Sequence, residues 1–78
     1  MVPLRLGMDP PPLPLATLRK RRLLSQRALA RQARVALSTV YLLEAGKTER
    51  VTFNVMRRVS EALGVEPRAV AEFRRALE

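Results

Sequence analysis

The sequence predicts a small all-α domain, and three observations support this fold class. From Leu15 onward, apolar residues recur at spacings of three and four, which is the period of an α-helix. No useful length of chain alternates between apolar and polar residues, so no sheet is expected. Five of the six prolines fall in residues 1–14, which leaves the rest of the chain free to form helices. We therefore expect a compact, all-α five-helix bundle over residues 15–78, preceded by a proline-rich flexible arm over residues 1–14.

The arm contains too many prolines for an interior helix. We expect a polyproline-II-like or disordered segment here. Residues 11–14 fit the P-x-x-P pattern of SH3-domain ligands, but a flexible leader is the favoured interpretation. Either Met1 or Met8 can be the start of the biological chain, and the sequence does not decide between them.

The first three helices follow from periodicity and end signals. Helix 1 is expected at residues 15–23, with Leu15, Leu18 and either Arg22 or Leu23 on its inner face. Helix 2 is expected at residues 26–33, because the hydroxyl of Ser25 can accept an unpaired N–H of the first turn. Helix 3 is expected at residues 37–45, and Gly46 stands where helices end in the left-handed conformation.

The last two helices carry clearer apolar stripes. Helix 4 is expected at residues 53–63, capped by Thr52 and ended by Gly64. Its inner face is predicted to hold Phe53, Met56, Val59 and Leu63. Helix 5 is expected at residues 67–77, because Pro67 is harmless in a first turn. Its inner face is predicted to hold Val70, Phe73 and Leu77.

The composition argues against an enzyme and against a cofactor or metal. Cysteine and histidine are both absent, which excludes disulfides, zinc sites of the usual kind and histidine-based proton transfer. The seven carboxylates form no close pair, and there is no glycine-rich phosphate loop. We expect no catalytic residues, no metal site and no cofactor.

The charge is strongly positive and unevenly placed. Residues 1–43 carry eight Lys and Arg against Asp9, whereas residues 44–78 carry seven against six Glu, so nearly all of the net charge of +8 lies in the first half. Such an excess favours a polyanionic partner. An anionic membrane surface is the competing interpretation, but helix 1 is short and its leucines are needed for the core. No apolar run is long enough for a transmembrane helix or a secretory signal, so we expect no membrane association and a cytoplasmic, nucleoid-associated protein.

Helices 2 and 3 are separated by so few residues that they must cross steeply for their inner faces to meet. Ala30 is small enough to lie at that crossing. The outer face of helix 3 then projects from a rigid base, and a single helix has the diameter to enter the major groove of B-DNA.

A set of residues at characteristic spacings runs through helices 2, 3 and 4. Its residues are Leu24, Ser25, Gln26, Leu29, Ala30, Val35, Ser38, Thr39, Val40, Glu44, Gly46, Lys47, Ala62, Leu63, Gly64 and Val65. The pattern, within about residues 15–70, resembles the Xre/Cro-like helix-turn-helix family, which includes the lambdoid phage repressors. The resemblance implies a lambda-repressor-like five-helix domain that binds double-stranded DNA with helix 3 in the major groove, usually as a dimer on a two-fold-related site.

The resemblance also implies roles for individual residues. Four stand at base-reading positions: Leu37, Ser38, Thr39 and Leu42. Gln26, Lys47, Thr48 and Arg50 stand where the family contacts the DNA backbone or, for Gln26, a helix 3 side chain. Arg27 and Tyr41 are also expected to contact the DNA backbone, because their positions face outward. Arg19 and Glu44 match a partly buried ion pair between helices 1 and 3.

Phe73 and Leu77 lie beyond the matched region and are candidate dimer contacts. A monomer core can also absorb Phe73. For Leu77, near the end of helix 5, simple exposure to solvent explains the residue as well as a dimer contact does.

Several residues depart from the family pattern. Arg34 replaces the usual glycine of the turn, which costs roughly 1–2 kcal/mol if the position needs a positive φ. Ala36 replaces a polar N-cap at a cost of roughly 1 kcal/mol, and Leu23 replaces a common glycine after helix 1. Leu37 and Leu42 replace polar readers, and a leucine can pack on a thymine methyl but cannot hydrogen-bond a base edge.

The sequence therefore predicts a sequence-specific DNA-binding transcriptional regulator, a homodimeric repressor or switch-type controller. The alternative is an antitoxin-type component that binds a partner toxin, or a protein-interaction module on the same fold. The two exposed leucines of helix 3 keep that alternative open, because an apolar helix face also suits a protein groove.

Overall fold

The computed structural model describes residues 11–77, and over that range the chain is all-α. Its helices are α1 (Leu15–Arg21), α2 (Gln26–Ala33), α3 (Leu37–Glu44), α4 (Phe53–Leu63) and α5 (Ala71–Leu77), with a short 3₁₀ turn (Pro67–Ala69) before α5. The described part of the chain contains no strand, only one isolated parallel bridge between Leu13 and Val70. The predicted all-α fold is confirmed. The expectations for residues 1–10 lie outside the described residues.

Every helix contributes an apolar stripe to one core. Its buried members are Leu15, Leu18, Leu29, Ala30, Ala33, Val40, Leu43, Met56, Val59, Leu63, Val70 and Phe73. Helix α2 lies centrally, against both α3 and α4. Ala30, predicted to lie at the α2–α3 crossing, is buried. Ser60 is also buried, and its hydroxyl donates to the carbonyl of Met56 at 2.8 Å, so this polar side chain is satisfied within its own helix.

Side-chain caps define where α2 and α4 begin. The Ser25 Oγ accepts from the N–H of Ala28 at 3.0 Å, and the Thr52 Oγ1 accepts from the N–H of Val55 at 3.2 Å. Gly64 ends α4 with φ +71°, and Gly46 follows α3 with φ +79°. Both capped helices have the predicted bounds: local signals mark the start of each and the end of α4.

Helix 5 differs from its prediction because of a long-range contact. The sequence predicts one helix over residues 67–77, but Val70 is extended and separates the 3₁₀ turn from α5. The N–H of Leu13 donates to the carbonyl of Ala69 at 3.0 Å, and the N–H of Ala71 donates to the carbonyl of Leu13 at 2.8 Å. These bonds take the place of helical ones at this point.

The same bridge extends the folded domain into the proline-rich segment. Flexibility is predicted up to Pro14, but Leu13 is held by Ala69 and Ala71 and is half-buried. The first N–H of α1, on Leu15, donates to the carboxylate of Glu72 at 2.9 Å. Helix α5 therefore anchors the start of α1.

Three apolar side chains are more exposed than expected. Leu23 is one candidate for the inner face of helix 1, but α1 ends at Arg21 and the side chain of Leu23 is 93% exposed. Phe53, the first residue of α4, is 69% exposed, so its predicted inward position is wrong. Leu77, in the last turn of α5, is 45% exposed, which also differs from the predicted inward stripe. All three stand at or just beyond helix ends, where the core covers them least.

Candidate nucleic-acid interface

A three-residue turn, residues 34–36, joins α2 to α3. Arg34 adopts the left-handed conformation with φ +60° and ψ +46°, and the N–H of Val35 donates back to the carbonyl of Ala30 at 2.9 Å. A non-glycine residue in this conformation costs about 1–2 kcal/mol. Ala36, the N-cap of α3, provides no side-chain hydrogen bond. The turn thus keeps its geometry without the residues that would favour it locally, and tertiary packing must hold it.

A charged cluster at the end of α3 provides part of that support. The guanidinium of Arg19 contacts the carboxylate of Glu44 through Nε–Oε2 at 2.6 Å and Nη2–Oε1 at 3.3 Å. Its third nitrogen, Nη1, donates to the carbonyl of Leu24 at 2.9 Å. The two side chains are only 11% and 12% exposed. This ion pair therefore connects α1, the loop before α2 and the end of α3.

Gln26 belongs to the same cluster. Its amide Nε2 donates to Glu44 Oε1 at 2.9 Å, so it contacts a helix 3 side chain, one of the two roles expected for it. Glu44 thereby receives hydrogen bonds from α1 and from the first residue of α2. The start of α2 and the end of α3 are held at a set separation, which orients α3 relative to its support.

The outer face of α3 is directed away from this support. Ser38, Tyr41, Leu42 and Ala45 are exposed, while Val40 and Leu43 on the opposite face are buried. Of the remaining candidate base readers, Thr39 is half-buried, and Leu37 is half-buried against the core. Ser38 and Leu42 are therefore the most accessible of the four.

The loop after α3 places two cations beside that face. The N–H of Gly46 donates to the carbonyl of Leu43 at 3.0 Å, and the N–H of Lys47 donates to the carbonyl of Leu42 at 2.9 Å. These bonds fix where the loop leaves the helix. Lys47 and Arg50 are exposed and line a depression of about 400 Å³ together with Leu42 and Glu49. Thr48 is half-buried, and its carbonyl accepts from the N–H of Val51 at 3.0 Å.

Helix α2 contributes a further outward cation. Arg27 is exposed in the first turn of α2, near the end of the helix where the unpaired backbone N–H groups favour anions. Glu49 is the acidic residue of the depression, whereas the charge of Glu44 is met by Arg19. The surface around α3 therefore keeps a positive balance.

The two candidate dimer residues have different environments. Phe73 is fully buried, so it belongs to the monomer core and offers no surface for a partner. Leu77 lines an apolar groove of about 300 Å³ that also includes Phe53, Met56, Arg57 and Pro67. Leu77 therefore remains a candidate dimer contact, and Phe53 is a second exposed apolar residue in the same groove.

Two polar contacts that support the site are not predicted by any sequence pattern. Arg22 Nη1 donates to the carbonyl of Leu63 at 3.1 Å, at the end of α4. Glu72 accepts from the first N–H of α1. Both join residues far apart in the sequence, and no local motif marks either of them.

Among residues 11–77 there is no cluster of three or more acidic, His or Cys side chains placed to hold a metal ion. Within the same residues, no helix combines the length and apolarity needed to cross a membrane.

The bundle, the short turn and the projecting third helix define a helix-turn-helix protein. A family model described as a helix-turn-helix domain matches residues 14–73, and the chain belongs to that family, consistent with its resemblance to Xre/Cro-like proteins. Neither a curated protein nor a solved structure matches the chain. Membership in this family implies DNA binding.

Proposed function

We propose that this protein is a sequence-specific transcriptional regulator, a repressor or switch-type controller that binds DNA as a homodimer. The observation that carries the proposal is the orientation of α3. Glu44 fastens one side of the helix to Arg19 and Gln26, while Ser38, Tyr41 and Leu42 remain accessible on the other side. An exposed helix on a rigid support can enter a major groove without rearrangement. In this proposal, the protein acts in the cytoplasm, at the nucleoid.

Backbone contacts set the register of the complex in this proposal. Residues around the rim of α3 carry them: Gln26, Arg27, Tyr41, Lys47, Thr48 and Arg50. The Arg and Lys side chains neutralise phosphates, and the others donate hydrogen bonds to them. Gln26 also holds Glu44, so its phosphate contact uses the amide hydrogen that the Glu44 bond leaves available.

Base contacts come from the centre of α3. Ser38, Thr39 and Leu42 face the groove, and Leu37 contributes from the edge because part of its side chain packs on the core. Phosphate contacts position the helix, whereas these residues distinguish one sequence from another.

The homodimer is proposed to form through the groove that contains Phe53 and Leu77. Both side chains are substantially exposed, at 69% and 45%, and they lie together with Met56 and Pro67 on one surface. A second copy of the chain would cover this apolar area and align two recognition helices on a two-fold-related site.

Salt dependence tests the mechanism. If each monomer neutralises about three or four phosphates, the logarithm of the dimer's binding constant should fall against log[salt] with a slope of roughly −5 to −7. Fluorescence anisotropy of a labelled duplex, titrated from low to moderate salt, measures this slope. A slope near zero contradicts the mechanism. Selection of bound duplexes from a random pool then tests specificity and half-site spacing together.

The second candidate function is that of an antitoxin-type component that also binds a partner protein. The exposed apolar side chains of α3 and of the Phe53–Leu77 groove favour it, because each can pack into another protein. The discriminating observation is a stoichiometric complex with the product of a neighbouring, toxin-like reading frame. If Phe53→Ser abolishes that complex while Leu42→Ser does not, the groove is the partner site.

A further inference from the structure

We infer that the outer face of α3 recognises thymine methyl groups, so that the bound sequence carries thymines opposite Leu42 and its helical neighbours. This inference rests on the proposed DNA-binding function and specifies which base chemistry the helix recognises. It follows from what the outer face of α3 contains and from what it lacks.

The outer face is a stripe with helical spacing. Ser38, Tyr41, Leu42 and Ala45 follow one another along one side of the helix, and all four are exposed. The stripe carries no charged side chain. The single charged residue of α3, Glu44, is turned to Arg19 and Gln26 instead. The centre of the candidate interface is therefore uncharged, and Leu42 is its largest aliphatic side chain.

The chain lacks the usual base-edge partners at this position. Guanine is read by Arg or Lys and adenine by Asn or Gln, each through two hydrogen bonds. None of these residue types occurs in α3, whose sequence is LSTVYLLE. The amide of Gln26, which contacts α3, donates to Glu44. The hydroxyls of Ser38 and Thr39 can bond to several bases and so discriminate weakly.

Apolar side chains favour one base edge in the major groove. Leu42 is 36% exposed and would lose water when the helix docks. Against a guanine, cytosine or adenine edge, which presents only donors or acceptors in the major groove, it would leave those groups without a partner, which is unfavourable. Against a thymine, it meets the C5-methyl group, and both surfaces gain from leaving water. The desolvation balance thus selects thymine.

The cations beside Leu42 can supply the affinity that an uncharged helix face lacks. Lys47 and Arg50 line the depression next to Leu42, so phosphate attraction there supplies affinity that does not depend on sequence. Glu49, the carboxylate of that depression, can accept only from the amino groups of adenine or cytosine. It therefore does not add guanine recognition.

Removal of single methyl groups tests the inference. A duplex selected from a random pool is resynthesised with deoxyuridine in place of one thymidine at a time, which removes the methyl and leaves the hydrogen-bonding edge unchanged. We expect about a fourfold loss of affinity at each thymine that the helix contacts, the effect of losing one buried CH₂-sized group. In Leu42→Ala, the methyl effect at the thymine opposite Leu42 should disappear.

Two further variants make the result specific. Leu23→Ala removes an exposed leucine outside α3 and should keep the fourfold methyl effect. Leu42→Asn should move the preference at the same position from thymine toward adenine, because an amide can pair with the adenine edge. Circular dichroism on each variant checks that the fold is retained.

The outcomes separate this inference from the proposed function. Specific binding whose affinity does not change with any uridine substitution overturns methyl recognition but leaves the proposed regulator function standing. So does a selected site in which guanines alone are discriminated, with that discrimination abolished by Lys47→Ala or Arg50→Ala. A flat salt dependence with no selected sequence overturns the proposed function itself.

Discussion

The guanidinium of Arg19 and the carboxylate of Glu44, 25 positions apart in the sequence, meet at 2.6 Å between Nε and Oε2 and are almost fully withdrawn from solvent. Arg19 belongs to α1 and Glu44 ends α3, so the pair links the first helix of the bundle to the end of the third. Because Glu44 also accepts from Gln26, its loss would affect three elements at once.

Glu44→Ala should destabilise the domain by about 3–5 kcal/mol, because it leaves the Arg19 charge buried without its partner. In a domain of this size such a loss can unfold the protein at room temperature. Urea denaturation followed by circular dichroism measures it. Lys20→Ala, which removes an exposed charge from the same helix as Arg19, is the control and should stay within about 0.5 kcal/mol of the parent. A loss below about 1 kcal/mol for Glu44→Ala would show that the pair is effectively solvated.

Arg34→Gly should stabilise the domain by about 0.5–1 kcal/mol. Glycine relieves the left-handed strain at φ +60°, worth about 1–2 kcal/mol, and part of that gain is offset by its greater entropy in the unfolded chain. Arg31→Gly is the matched control. It removes the same exposed side chain from within α2, where glycine costs about 1 kcal/mol. Urea midpoints that move in the same direction for both variants would contradict the strain argument.

Gly64→Ala should cost more than Gly46→Ala. Both glycines have positive φ, so each substitution incurs about 1–2 kcal/mol of strain. At Gly64, a Cβ would lie 2.6 Å from Arg22 Nη1 and would disturb the bond from Arg22 to the carbonyl of Leu63, whereas at Gly46 it would meet nothing within 4 Å. The flexible Arg22 can move, so we expect a difference of about 0.5–1 kcal/mol. Thermal or urea unfolding of the two variants gives this difference, and equal losses would mean that the Arg22 contact adds no stability.

Lys47→Ala and Arg50→Ala should each weaken binding to all duplexes alike. The magnitude of the salt slope should fall by about one for every phosphate that the variant no longer neutralises, because fewer counterions are released. Arg75→Ala, on the exposed side of α5, removes the same charge away from α3 and should leave the slope unchanged. If all three variants behave alike, net charge alone governs binding and the loop is not part of the interface.

Ser38→Ala should change sequence preference without changing stability. Ser38 is exposed in the first turn of α3, and its side chain makes no hydrogen bond within residues 11–77, so its removal leaves folding unaffected to within about 0.5 kcal/mol. Ser25→Ala should do the reverse: it removes the cap on Ala28 at a cost of about 1 kcal/mol and keeps the preference. Random-pool selection and urea denaturation on both variants provide the comparison. Unfolding of Ser38→Ala would mean that helix 3 is packed inward.

The two helices that match their predicted bounds, α2 and α4, are those with a side-chain cap at the start. Ser25 and Thr52 cap α2 and α4 through their own side chains, and Gly64 ends α4 in the left-handed conformation. Such signals act over three or four residues, so they can be read from sequence alone. At Leu23 and Arg34 the sequence departs from the glycines common in the family. Both residues have positive φ in the structure.

The errors have a common physical origin. Apolar periodicity identifies a helix face but not what covers it, so it predicts Phe53 inside although the side chain is 69% exposed at the start of α4. It also predicts a continuous helix 5, because the bridge from Leu13 to Val70 depends on a residue more than 50 positions away. Phe73 is a candidate for either core or dimer in the sequence, and only packing assigns it to the core.

By itself, the sequence determined the all-α class, the positive charge, the lack of His and Cys residues, and the helix-turn-helix pattern, because each depends on composition, on helical periodicity or on the spacing of residue types along the chain. The family resemblance implied the Arg19–Glu44 pair, but only the tertiary structure decided that Glu44 accepts from Arg19 and Gln26 together, how far each side chain of the outer face of α3 is exposed, and how Leu13 and Glu72 join the two ends of the domain. These contacts connect residues distant in sequence, and their geometry exists only once the core has packed and brought the helices together.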